Sequence, residues 1–294
     1  MDIDPGIFER TNEAVWTITP KGNSANIEID EGFMLLGPQS GAFGDWMIDY
    51  LPRYVAADIS GTLPPVPVLV DQSLPDVHRQ SLKFMLSKPV ELVEIPAFTT
   101  ARVRRLWCAA TLHYAPTREK MDGRFKFDYV VPPPERIARV TREMARRVRR
   151  WAPSHAGPER VFLARRPSRW RKLLNHAEIE AAARARGFSI VTPEDMDFIG
   201  QATLLRHARF VVAPEGSSLF LAYFAQPESK LCILNHRLVE WPTVYGSYLS
   251  GVGIEITILT GPIVRPHPEF PHRADYTINE RQFCDFLDHW LADA

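Results

Sequence analysis

Apolar positions along the chain fall into short runs separated by stretches with helical spacing, and the second half shows this alternation most cleanly. Residues 161–164, 189–192, 210–213 and 231–234 read as buried strands. Residues 175–186, 198–207 and 217–225 read as the helices between them. Strand and helix in strict alternation predict a parallel sheet with right-handed crossovers. Residues 254–259 read as one more strand, and 279–291 as an amphipathic helix with Phe283, Phe286, Leu287 and Trp290 inward.

The first half repeats the theme less regularly. Residues 25–36 read as extended, 66–70 as a short strand after a proline-rich turn, and 90–95 and 103–110 as further strands. Residues 77–86 read as a helix. So do 43–57, with Trp46, Tyr50, Leu51 and Tyr54 on one face and Pro52 marking a kink or a boundary. Pro132-Pro133-Pro134 opens a long helix to Trp151. Ile137, Val140, Met144, Val148 and Trp151 recur on its inner face, while Arg136, Arg139, Arg142, Arg146, Arg147, Arg149 and Arg150 line the other. Such a face is ordinarily solvated, and it can also lie on anionic lipid headgroups. The stretch 152–158, with two prolines and a glycine, reads as a linker. The expected domains are 1–152 and 158–294, with the last helix, 279–292, able to pack back on the first. In such sheets ligands bind beyond the carboxyl ends of the strands.

Composition narrows the function. Of 294 residues 45% are hydrophobic, ample for a large core, and 35 basic residues balance 35 acidic ones. Zero net charge argues against a general nucleic-acid binder. Three widely spaced cysteines, with no CxxC pair, suit a reducing compartment and offer no zinc framework. The start, Met1-Asp2-Ile3-Asp4-Pro5, lacks the basic and apolar segments of a signal peptide, and no apolar run approaches the ~20 residues that span a bilayer. A cytoplasmic protein is expected, with peripheral contact to the inner membrane through the arginine-rich helix as its one membrane role.

The chemistry gathers at two strand ends. One strand runs out into Arg165-Arg166; another ends in Pro214-Glu215-Gly216-Ser217-Ser218-Leu219 and feeds a helix. Unpaired amides and the dipole at a helix start favour an anion, and guanidinium forks match phosphate oxygens. A diphosphate between the two ends is the expectation, with Arg165, Arg169, Arg171, Pro214, Gly216, Ser217 and Ser218 as binding residues; Lys172 is assigned to solvent. Glu215 sits awkwardly beside an anion, so it points to a sugar hydroxyl, accepts a proton, or braces the loop. In the first half, Asp45 and Asp49 are four apart and share a helix face. Asp45 is explained by the helix start alone. Asp49, between Trp46 and Tyr50, is the better candidate for a raised pKa and a role as base. Asp195-Met196-Asp197 has the DxD form of metal-chelating transferases but reads as helix-start acids. The nine histidines form no HxH or HxxxH pair, and neither a P-loop nor G-x-S-x-G occurs.

These segments, in this order, resemble the family 61 glycosyltransferases, the capsular polysaccharide biosynthesis-like proteins. The likeness covers roughly residues 32–234. Phe43-Gly44-Asp45-Trp46-Met47-Ile48-Asp49-Tyr50-Leu51-Pro52-Arg53 is similar to that family's N-terminal pattern. Leu163-Ala164-Arg165, Arg171 to His176, Gly187 to Val191, Gln201 to Ala208 and Ala213 to Leu219 are similar to its C-terminal ones. Asp45 and Glu215 stand where relatives commonly carry His, and His176 replaces a usual Glu. The resemblance implies an α/β, GT-B-like fold with two Rossmann-like domains facing a central cleft. It implies inverting, metal-independent transfer from a nucleotide-diphosphate sugar, expected to be UDP-linked, to a glycan or lipid-linked glycan acceptor in surface polysaccharide synthesis. No cofactor beyond the donor substrate is expected. Asn175 and Gln201 join the donor residues on this basis, and Asp45, Asp49 or Glu215 supplies the base. The missing histidines keep open a non-catalytic nucleotide-sugar or glycan-binding protein of the same fold, and the arginine-rich helix a scaffold for a glycan-assembly complex.

Overall fold

The computed structural model describes residues 8–10, 16–18, 23–97, 99–111, 134–151, 157–166, 168–236, 242–268 and 273–292. Strands β1 (Phe8–Arg10) and β2 (Trp16–Ile18) form a small antiparallel pair. The first parallel sheet holds β3 (Asn23–Met34), β4 (Val68–Asp71), β5 (Leu92–Ile95) and β6 (Thr99–Trp107) in the order β5-β4-β3-β6. Its helical segments are α1 (Phe43–Asp45), α2 (Leu51–Ile59) and α3 (Asp76–Met85). Helix α4 (Pro134–Arg149) follows.

The second sheet is also parallel. Strands β7 (Arg160–Leu163), β8 (Ser189–Val191), β9 (Phe210–Pro214), β10 (Lys230–His236) and β11 (Glu255–Gly261) lie in the order β11-β10-β9-β7-β8. The connecting segments are α5 (His176–Arg184), α6 (Phe198–His207), a 3₁₀ helix Ser217–Phe224 and α7 (Pro242–Leu249). A short hairpin of β12 (Ile263–Arg265) and β13 (Asp275–Tyr276) precedes the last helix, α8 (Glu280–Ala292). Numbered from β7, this is the doubly wound order 2-1-3-4-5, whose direction reverses between β7 and β9. The first sheet reverses between β3 and β6.

One buried apolar cluster joins the two halves: Phe33, Trp46 and Leu82 belong to it together with Met144, Phe198, Leu221 and Tyr248. Helix α4 packs on α2 and α3 on one side and on α6, α7 and the 3₁₀ helix on the other. A second cluster covers the far face of the second sheet, where Phe162, Phe210 and Cys232 meet Phe283, Leu287 and Trp290. The last helix therefore packs on α5 and its own sheet, not back on the first half. Its apolar stripe meets an apolar sheet face beside it, and the ring of Trp290 lies 5.2 Å from that of Phe210.

Three local features differ from the pattern reading. The run from Phe43 is helical as expected, but Trp46–Tyr50 is a π-helical turn in which the Leu51 N–H reaches back to the Trp46 carbonyl. Pro52 has no N–H and its ring crowds the carbonyl four residues back, so a widened turn just before it accommodates the proline. The segment after Gly216 is 3₁₀ rather than α-helical; Leu219 to Phe224 are all buried, so packing on every side governs its winding. Helix α7 and the β12–β13 hairpin lack the periodicity that announces an element. Most of the linker expected at 152–158 lies outside the described residues.

Candidate functional site

The reversal between β7 and β9 brings Arg165, just past β7, beside Glu215 and Gly216, just past β9. Glu215 continues the ladder, its N–H donating to the Leu234 carbonyl at 2.9 Å. Arg165 Nη1 donates to the Glu215 carbonyl at 3.3 Å. The Glu215 side chain is 3% exposed. It accepts from Arg171 Nη1 at 2.8 and 2.6 Å and from the Tyr245 hydroxyl at 2.5 Å. Of the roles left open by the sequence, bracing the loop is the one this geometry displays.

Arg171 is held in place by strained backbone. Its φ of 56° lies in the left-handed region, unusual for a residue with a side chain. Three contacts with the β12–β13 segment hold it there: Arg171 N–H to the Arg273 carbonyl at 3.2 Å, Lys172 N–H to Asp275 Oδ1 at 2.9 Å, and Leu174 N–H to the Tyr276 carbonyl at 2.8 Å. Burial, and then the charge of Arg171, lower the pKa of Arg165. Burial, and then the Glu215 charge, raise the Tyr245 phenol well above its ordinary value, so it stays a donor. Two guanidinium groups thus meet on one residue, Arg171 at the Glu215 carboxylate and Arg165 at its main-chain carbonyl. Next to them the first amides of the Ser217–Phe224 helix have no acceptor within the helix.

Gly216 is extended, with φ 171°, a conformation open to any residue. A methyl group there would meet Arg165 Cζ at 3.7 Å, an ordinary contact. Neither backbone nor neighbours demand a glycine, so its bare backbone leaves approach space beside Arg165. Gly44 in α1 is different: a methyl there would stand 2.9 Å from Oγ of Ser217. The turn after β3 thus abuts the turn after β9, each lying beyond a strand's carboxyl end.

On the first of these turns Asp45 makes no hydrogen bond or ion pair with another described side chain. Burial, and to a lesser degree the charge of Asp49, raise its pKa. Asp49 is only 8% exposed and is committed to neighbours, pairing with Arg53 and accepting from Thr111 Oγ1 at 2.7 Å. Of the two acids expected as base, Asp49 is engaged by neighbours, and Asp45 is the one without a described side-chain partner. Trp46 anchors the turn, donating to Ser81 Oγ at 2.8 Å, with the ring of His78 at 5.2 Å. Burial lowers the His78 pKa to about 4, so this histidine is neutral near pH 7.

The Glycosyltransferase 61 family model matches residues 43–232, from the first residue of α1 into β10. The chain belongs to glycosyltransferase family 61. No curated protein matches it. The match spans both strand-end turns and makes the chain a glycosyltransferase; the mixed α/β structure with parallel sheets is consistent with that. No helix among the described residues is long and apolar enough to cross a membrane.

Not every residue expected in the donor site reaches this cluster. Arg169 is exposed and stacks on Trp170, 4.5 Å from the ring centre. The Asn175 side chain is committed to the main chain of Ile278, donating at 2.8 Å and accepting at 3.1 Å, which ties the start of α5 to the segment after β13. Gln201 is buried and donates to the carbonyls of Pro193, at 2.7 Å, and Met196, at 3.2 Å. Both residues brace turns in the structure described. Pro214 ends β9; Ser217 is exposed and Ser218 half-buried. In the DxD sequence Asp197 caps α6 through the Gly200 N–H at 2.8 Å and Asp195 pairs with Arg166. Among the described residues no three His, Cys, Asp or Glu side chains are grouped to hold a metal. Sequence reasoning missed Tyr245 and His78. Tyr245 lies in an apolar segment without periodicity, and His78 lies on a helix with nothing around it to mark it.

Proposed function

We propose that the chain transfers a sugar from a nucleotide-diphosphate donor, UDP-linked, to a hydroxyl of a glycan or lipid-linked glycan acceptor in surface polysaccharide synthesis. Transfer proceeds with inversion and without a metal, between two Rossmann-like lobes of a GT-B arrangement. The observation that carries this reading is the convergence of Arg165 and Arg171 on the Glu215–Gly216 turn, at the point where the strand order reverses. The diphosphate lies against Arg165, Arg171 and the amides of Ser217 and Ser218, and its charge offsets the repulsion between the two arginines. Across the Gly44–Ser217 contact, Asp45 takes the proton of the acceptor hydroxyl. The acceptor oxygen bonds to the anomeric carbon from the face opposite the diphosphate. The bond from that carbon to the donor's phosphate oxygen breaks, and its electron pair leaves with the nucleoside diphosphate. Preorganised guanidinium and amide donors stabilise the charge that grows there.

The test is a thermal-shift panel of nucleoside diphosphates and nucleotide sugars on the purified chain, followed by release of nucleoside diphosphate with acceptor. A ligand should raise Tm. Arg165→Ala should abolish that rise, whereas Asp45→Asn should keep it and slow turnover by about 10²–10⁴. If no nucleoside diphosphate shifts Tm, the proposal fails. One observation favours the second reading, a binding protein of the same fold: Glu215 already occupies Arg171. Saturable nucleotide-sugar binding with no transfer and no hydrolysis would establish that reading instead.

A further inference from the structure

We infer that the outer face of α4 docks on an anionic lipid bilayer. Seven arginines and two acids lie between residues 134 and 151 of a chain whose net charge is zero, so the charge is concentrated there. The structure sorts the arginines into two groups. Arg147 turns inward, is 5% exposed, pairs with Asp58 and Glu143, and donates to the Met85 carbonyl. The rest of the set is exposed. Of these only Arg146 has a carboxylate partner among the described residues, Glu143 at 2.6 Å. That carboxyl is already shared with Arg147, and its hydrogen bonds to the arginines hold its pKa down to about 2. Arg136, Arg139, Arg142, Arg149 and Arg150 are left without an ion pair among the described residues.

Their placement suits headgroups. Arg139, Arg142, Arg146 and Arg149 recur at three- and four-residue steps, one helix face, and with Ile59 and Glu143 they line an open cavity of about 360 Å³. Four arginines beside Ile59 offer a phosphate ester both guanidinium donors and aliphatic contact. Trp151, expected on the inner face, lies just past the end of the same helix and is instead 61% exposed, its ring set edge-on to Phe84 at 5.6 Å. An exposed indole beside uncompensated arginines is the pairing found where proteins meet a membrane interface. A bilayer offers a continuous field of anions to a face of this kind, and attraction of this sort is screened by salt.

The experiment is co-sedimentation of the full chain with phosphatidylcholine vesicles, plain or with about one third phosphatidylglycerol, across a salt series. The chain should sediment only with the anionic vesicles, and less as salt rises. Arg139→Gln, Arg142→Gln and Arg149→Gln together should lower the partition coefficient about a hundredfold, or about fivefold for each arginine. Trp151→Ala should lower it further. A control removes the same charge elsewhere, through the exposed Arg184→Gln, Arg265→Gln and Arg281→Gln on α5, β12 and α8, and should retain binding. All these variants should keep the native Tm. Three outcomes would overturn the inference: no sedimentation with anionic vesicles at low salt, equal losses in both triple variants, or displacement from vesicles by duplex nucleic acid that the chain binds more tightly.

Discussion

Asp45 and Asp49 stand four positions apart in one helical run yet meet different surroundings. Arg53 and Thr111 take up Asp49, whereas Asp45 keeps an unpaired, partly buried carboxyl. A raised pKa means that the folded chain binds the proton more tightly than the unfolded one. Stability from this group is then full below the ordinary value of 3.8 and falls as pH climbs through the raised one. Asp45→Asn should therefore raise Tm at pH 7 while slowing transfer, and the gain should vanish as pH approaches 3.8. Melting curves of the native and variant chains between pH 3 and 8 check this; an equal Tm throughout would contradict it. The four-residue spacing was readable from the sequence. That Thr111, 62 positions away, would engage one acid and leave the other was not, because such pairing depends on how the chain returns. Glu215 makes the same point: its neighbours in sequence suggested conflict with an anion, and the distant Arg171 and Tyr245 resolve it.

Short apolar runs and helices with apolar spacing were readable almost to their ends, as β9, α6 and α8 illustrate. Elements buried all round, such as the 3₁₀ helix after Gly216, and those without a period, such as α7, carry no such signature. Helix α4 shows what periodicity conceals. Its seven arginines read as one polar face, yet Arg147 crosses into the interior and ties α4 to the end of α2 and the end of α3. Removing a buried charge from such a group leaves its partners unpaired, which typically costs about 3–5 kcal/mol. Arg147→Met should lose stability of that order in urea unfolding, since Asp58 would keep only the Ser87 hydroxyl, at 2.7 Å, and no ion pair among the described residues. Arg146→Met on the exposed side should leave the urea midpoint almost unchanged, because solvent screens an exposed ion pair.

The expectation of parallel strands in two series is met, and the strand orders set the candidate site at a reversal point. The extent to which one apolar cluster joins the halves was not readable, because periodicity marks a buried face without naming what covers it. Which surface α8 covers was left open by the sequence for the same reason. Cysteine reactivity reports on the molecule as a whole. Cys108 is exposed, while Cys232 is buried in the second sheet and its thiol pKa is pushed far up. Alkylation followed by mass spectrometry should label Cys108 promptly and Cys232 only at the rate of global unfolding, slowed further by any nucleotide that binds. Prompt labelling of Cys232 in the native chain would mean that this core opens locally.

The close approach of Gly44 to Ser217 has an evolutionary corollary. Positions 44 and 217 share one small volume, so a side chain at 44 requires the Ser217 hydroxyl to turn away. A change in one loop is therefore felt by the other, and a swap of one loop between relatives should succeed best when its counterpart travels with it.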